Sequence, residues 1–177
     1  MSKHLMVDME TLSVTPQAVI LSIGAVIFNP YHEGHTDEFY LKVTLDDQDQ
    51  LGREIDPKTI DWWSKQDPAI MEEAFDETGR ILLSESIERF HKFAWGCDAF
   101  WSHGATFDLV ILENIYKSFN KGLPWNYWQL RDTRTLFDLG FDPEMPQNSK
   151  HDALQDAIRQ AIGVQNVYRK IALLRQE

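Results

Sequence analysis

Between Val19 and Phe28 the chain reads VILSIGAVIF, ten residues in which only Ser22 and Gly24 interrupt apolar side chains. Branched side chains suit a pleated surface, and a run this long and apolar reads as a central strand. It must be flanked. Leu5 to Val7 lies before it and Phe39 to Val43 after it, so the spacing predicts three sequential strands in an antiparallel meander. Asp56-Pro57 and Asp67-Pro68 each put an acid before a proline, the signature of a capped helix start, so two short helices are expected there. From Ser84, Ile87, Phe90 and Ala94 recur at helical spacing until Gly96, and Ala99 to Trp101 reads as a further strand. Leu109, Leu112, Ile115 and Phe119 mark a helix beginning near Asp108. After a strand-like segment comes the last helix, with Leu154, Ala157, Ala161, Val164, Tyr168 and Ile171 three or four residues apart. Gly163 within it is expected to cost roughly 1 kcal/mol relative to alanine.

At 177 residues the chain is expected to form one domain over 1–177, with no repeat or interdomain linker. Its formal charge of −11 excludes a protein that coats nucleic acid through many basic contacts, but not an enzyme whose carboxylates hold cations against a phosphate. The single cysteine, Cys97, excludes a disulfide framework and a Cys-rich metal site, and reads as a buried thiol. No apolar run reaches the roughly 18 to 20 residues that span a bilayer, and Asp8 and Glu10 break the short N-terminal hydrophobic stretch. The expectations are no membrane association, no signal peptide and a cytoplasmic location. Charge is uneven: residues 33–56 carry eight acids against two bases, whereas 117–134 carry Lys117, Lys121, Arg131 and Arg134 against Asp132. Tyr116, Phe119, Trp125, Tyr127 and Trp128 interleave with those bases, a mixture that suits phosphates and bases, a subunit interface, or core aromatics beneath a solvated face.

Three short segments carry chemistry. In Val7-Asp8-Met9-Glu10-Thr11 two carboxylates two residues apart on a strand project from one face, where they repel and need a counter-cation. Oxygen ligands without clustered Cys or His suit Mg²⁺ or Mn²⁺. On its own the pair also describes a solvent-facing strand edge. Ser102 to Asp108 (SHGATFD) carries an acid to a helix start, where it serves as a site residue or as a cap. Lys150 to Asp156 (KHDALQD) places His151 before the last helix and Asp156 within it.

Taken together and in order, Asp8 and Glu10, then Asp108, then His151 and Asp156 at a spacing of five, resemble the DEDDh subgroup of DnaQ-like 3′-to-5′ exonucleases. The resemblance covers nearly the whole chain. Met6 to Val26, Ile60-Asp61-Trp62-Trp63, Gly104 to Asp108, Arg131 to Leu136 and Lys150 to Ala157 are most similar to the small mycobacterial-type exoribonuclease branch, which has phage relatives. A tyrosine-type relative would carry Tyr where Asp152 stands. The chain departs from the pattern at Ser13, where relatives often have Gly, and at His103, where they commonly have Asn.

The resemblance implies an α/β, ribonuclease H-like fold: a mixed sheet with its first three strands antiparallel and helices on both faces. It also implies hydrolysis of terminal phosphodiesters with two ions, Mg²⁺ or Mn²⁺, roughly 4 Å apart, releasing nucleoside 5′-monophosphates. Asp8 would bridge both ions, Glu10 and Asp156 would complete the site holding the nucleophilic water, and Asp108 would support the second ion. His151 would take the water's proton, a task suited to a group that ordinarily titrates near neutrality. The expected partner is single-stranded or 3′-overhang nucleic acid, RNA favoured over DNA, with a homodimer also compatible. Substrate contacts are expected from Met9, Thr11, Leu12 as a wedge between bases, Trp62, His103 and Phe107. Trp63, placed with Ile60 on one helix face, is expected to turn to the core. Rival readings are a DNA-directed exonuclease, a metal-dependent nucleotide phosphatase and a non-catalytic nucleic-acid-binding module.

Overall fold

The computed structural model describes residues 2–146 and 151–174, so Lys150 lies outside the described residues. The elements in order are β1 (His4–Thr11), β2 (Ile20–Phe28), β3 (His35–Lys42), α1 (Asp46–Gln50), α2 (Pro57–Trp63), α3 (Pro68–Phe75), α4 (Leu83–Ala94), β4 (Ala99–Ser102), α5 (Asp108–Ser118), a 3₁₀ turn (Tyr127–Gln129), β5 (Leu130–Asp132), α6 (Thr133–Phe137) and α7 (Ala153–Leu174). The sheet runs β3-β2-β1-β4-β5. β1 pairs antiparallel with β2 and β2 with β3, whereas β4 lies parallel to β1 and β5 parallel to β4. This is the mixed sheet of the ribonuclease H-like fold. β2 is buried along its whole length, as its composition requires.

Strand alternation sorts the core. Leu5, Val7 and Met9 of β1 join Ile23, Ala25 and Ile27 of β2 against α4 and α5, while Met6, Val26 and Phe28 face Ala157, Ala161 and Val164 of α7. Asp8 and Glu10 continue the Met6 face, so the period of two carries them toward α7. A third cluster of Leu12, Val19, Leu21, Trp63 and Ala74 seats α2 and α3. The caps form as expected: Asp56 accepts from the Lys58 N–H and Asp67 from the Ala69 N–H. No described helix is long and apolar enough to cross a membrane.

Several expectations are revised. Gly163 is a packing device, because a Cβ there would stand 2.8 Å from Met145 Cγ and 2.8 Å from Phe137 Cζ. Tyr116 and Trp125 are core residues, leaving Tyr127 and Trp128 as the exposed aromatics of their stretch. Ile60 is exposed although Trp63 is buried. Trp63 turns inward at the end of α2 because its indole donates to the Thr11 carbonyl at 3.0 Å.

Candidate active site

Parallel β1 and β4 deliver their C-terminal ends to one edge of the sheet, where binding sites in such folds collect. β1 brings Asp8 and Glu10. β4 runs through Gly104, at φ +112°, into Asp108, the first residue of α5. Asp108 is buried, and its Oδ1 accepts the Met9 N–H at 3.1 Å, which ties it to β1. α7 brings Asp156. Its start is fixed by Asp152, whose carboxylate accepts the Gln155 N–H at 3.0 Å as a helix cap, so the acid in the tyrosine-type position has a structural task.

One glycine admits the helix. Gly24 pairs with Asp8 across the β1-β2 ladder, and a Cβ on it would lie 2.2 Å from the carbonyl carbon of Ala153 and the nitrogen of Leu154. The bare backbone there lets the first turn of α7 lie on the sheet beside Asp8. His151, at φ +67°, precedes this turn, and its N–H donates to Asp156 Oδ2 at 2.8 Å.

Potential ligand atoms of Glu10, His151 and Asp156 all lie within 4.8 Å of one another. Asp8 and Asp108 stand outside this tightest group but within its electrostatic reach. Glu10 is pushed up to about 8 by burial and then by the charges of Asp156, Asp108 and Asp152. Burial raises Asp108 to about 7 against the N–H groups that stabilise its charge. Asp8 is raised well above the usual carboxylate range by desolvation, then by Asp108 and Glu10, with the Gln160 amide pulling the other way. Without a counter-ion these buried acids hold their protons to higher pH than exposed carboxylates do, and a cation placed among them would offset the cost of ionising them. Carboxylate oxygens and one imidazole, with no thiolate, fit a hard divalent ion.

The site has protein partners that sequence reasoning missed. Arg159 Nη2 donates to Asp156 Oδ1, and Gln160 Nε2 donates to Asp8 Oδ1 at 2.8 Å. Beside Glu10 opens a cavity of about 460 Å³ whose walls include Met9, Thr11, Val14, Lys58, Trp62 and Phe107. Its size is that of a small-ligand site. Among the expected substrate contacts, Met9, Thr11, Trp62 and Phe107 are on this cavity's wall. Leu12 is not: it is 2% exposed beneath Trp63, because the ladder shifts register between Glu10 and Thr11 and the following residue turns into the core. No wedge is available from its side chain, and the exposed aliphatic group at the cavity is Val14. His103 is also absent from the cavity wall; its ring sits 2.8 Å from the Thr133 hydroxyl. Trp62, 41% exposed, meets the His151 ring edge-to-face at 4.7 Å.

Residues 3–168 match the 3′-5′ exoribonuclease Rv2179c-like domain family. The chain belongs to that family. Among solved structures, this Rv2179c-like domain is similar to a zinc-bound complex of E. coli exonuclease I with single-stranded DNA, at 15% identity and a TM-score of 0.68 over 99% of this chain and 42% of that one. Exonuclease I of Methylocaldum szegediense gives 15% identity and a TM-score of 0.65 over 96% and 41%. Exonuclease X in complex with 5′-overhanging duplex DNA gives 16% identity and a TM-score of 0.60 over 96% of this chain and 93% of that one. The Rv2179c-like domain therefore spans about two fifths of the exonuclease I chains and nearly all of exonuclease X, and shares their fold. No curated protein matches its sequence.

Proposed function

We propose that this protein is a 3′-to-5′ exoribonuclease that hydrolyses the terminal phosphodiester and releases nucleoside 5′-monophosphates. The observation that carries this reading is the convergence of Glu10, His151 and Asp156 within 4.8 Å beside Asp8 and Asp108, in a chain of this family. Asp8, Glu10, Asp108 and Asp156 would hold two divalent ions, Mg²⁺ or Mn²⁺, which when bound supply charge stabilisation at the scissile phosphate and lower the pKa of water. His151 takes the proton from the attacking water. The water oxygen attacks the phosphorus of the last nucleotide, the bond to the 3′-oxygen of the penultimate one breaks, and that oxygen takes up a proton from solvent to become the new 3′-hydroxyl, while the proton held by His151 returns to solvent. Met9 and Thr11 border the cavity for the terminal nucleotide, with Phe107 and Trp62 offering aromatic surface. The acidic surface is no obstacle, because cations meet the phosphate.

RNA is favoured by the family, whose domain is an exoribonuclease. The test is incubation with Mn²⁺ and matched 5′-labelled RNA and DNA oligomers. The expected result is RNA shortened one nucleotide at a time, arrest by a chelator, and blockage by a 3′-phosphate. Preferential degradation of DNA would move the substrate assignment to the DNA-directed reading. Internal cleavage at early times, or release of inorganic phosphate in place of nucleoside monophosphate, would overturn the reaction assigned here.

A further inference from the structure

Neighbouring residues on an α-helix point about 100° apart, so the Arg159-Gln160 dipeptide of α7 addresses two different partners. Arg159 reaches back along the helix to Asp156, whereas Gln160 faces the sheet and donates Nε2 to Asp8 Oδ1 at 2.8 Å. Three glutamines are buried among the described residues, and the other two are backbone staples. Gln48 bonds both the N–H and the carbonyl of Ile20, and Gln165 donates to the carbonyls of Asn29, His32 and Gly34. Gln160 is different: it addresses a carboxylate, and its own Oε1 is buried without a hydrogen-bond partner among the described residues. An ionised carboxylate only accepts, and the amide here turns its nitrogen to Asp8 and leaves its carbonyl without a partner, the arrangement that suits the ionised form.

We propose that Gln160 is a positioning residue for Asp8. Resting on the metal-dependent reading above, its N–H engages Oδ1 and so fixes the rotation in which the carboxylate would meet a divalent cation. Partners of this kind, which orient a ligand without touching the ion, change metal affinity by about 10- to 100-fold.

Titration calorimetry with Mn²⁺ on the full chain tests this, comparing wild type with Gln160→Met, which keeps the length but loses the donor, and Gln160→Asn, whose amide falls one methylene short. Gln165→Met is the structural control on the same helix. Both Gln160 variants should bind Mn²⁺ about 10- to 100-fold more weakly, with KM for an RNA oligomer unchanged and kcat reduced but recovering as Mn²⁺ is raised. Gln165→Met should lower the melting temperature and leave Mn²⁺ affinity intact. If Gln160→Met does not fold, Gln160→Asn gives the reading. Wild-type affinity in the folded Gln160 variants, or equal weakening in Gln165→Met, would overturn the proposal, whereas a wild-type protein that takes up no Mn²⁺ would defeat the metal reading itself.

Discussion

An imidazole that activates water must arrive unprotonated and must not be needed to hold the ion. His151 stands where both roles are geometrically open, since one of its ring nitrogens falls in the same 4.8 Å group as Glu10 and Asp156 while Trp62 packs edge-on against the ring. The two roles separate on substitution. As a base, His151→Ala should cost roughly 10² to 10⁴ in kcat and leave Mn²⁺ affinity nearly unchanged by calorimetry. A large loss of Mn²⁺ affinity would make the histidine a ligand. Asp8→Asn tests the neighbouring carboxylate. It keeps the volume and the contact with Gln160 but removes a charge whose desolvation and repulsion by Asp108 and Glu10 are unfavourable without metal. Turnover should be abolished while the metal-free protein melts at the same or a higher temperature; near-normal turnover at saturating Mn²⁺ would rule out Asp8 as a ligand.

At the scale of elements, the site exists because α7 starts directly on β2. Gly24 makes that contact possible, and the atoms a Cβ would strike are main-chain atoms of Ala153 and Leu154, which cannot rotate away as a flexible side chain would. Gly24→Ala should therefore destabilise the protein by about 1 to 3 kcal/mol in urea unfolding, as overpacking does, and weaken Mn²⁺ binding by displacing His151 and Asp156 together. A variant with wild-type stability and affinity would show that the helix start shifts freely. The same contact explains what the amino-acid sequence reveals and what it hides. Asp8 and Glu10 are legible because ionised side chains in an apolar strand announce a cost that something must offset, and the capped helices at Asp56 and Asp67 because their signals are local. Gly24, Arg159 and Gln160 are not, since each acquires its meaning from a partner that only tertiary packing supplies. Leu12 misleads for a related reason: a register shift one residue earlier sends it into the core.

Over the whole molecule, a formal charge of −11 and a cluster of buried acids make the fold's stability depend on both pH and metal. In the metal-free protein Glu10 is raised from 4.5 to about 8 and Asp108 from 3.8 to about 7, burial being the largest cause in each case. A raised folded-state pKa means that between these limits the native state holds more protons than the unfolded chain. The slope of unfolding free energy with pH is then negative, by about 1.4 kcal/mol per pH unit for each excess proton. This contribution is fully present below the unfolded values, near pH 4, and is lost as pH rises through 7 to 8. Metal-free protein should accordingly melt at progressively lower temperature from about pH 5 to pH 8, the reverse of a carboxylate held by a salt bridge. Saturating Mn²⁺ should flatten this dependence, because the ion binds the deprotonated acids of the folded state, which then holds no more protons than the unfolded chain. Thermal melts across that range, with chelator and with saturating Mn²⁺, measure both slopes in one experiment. Parallel curves with and without metal would mean that the acids ionise in the fold without help from a cation, and would remove the electrostatic ground for the metal site.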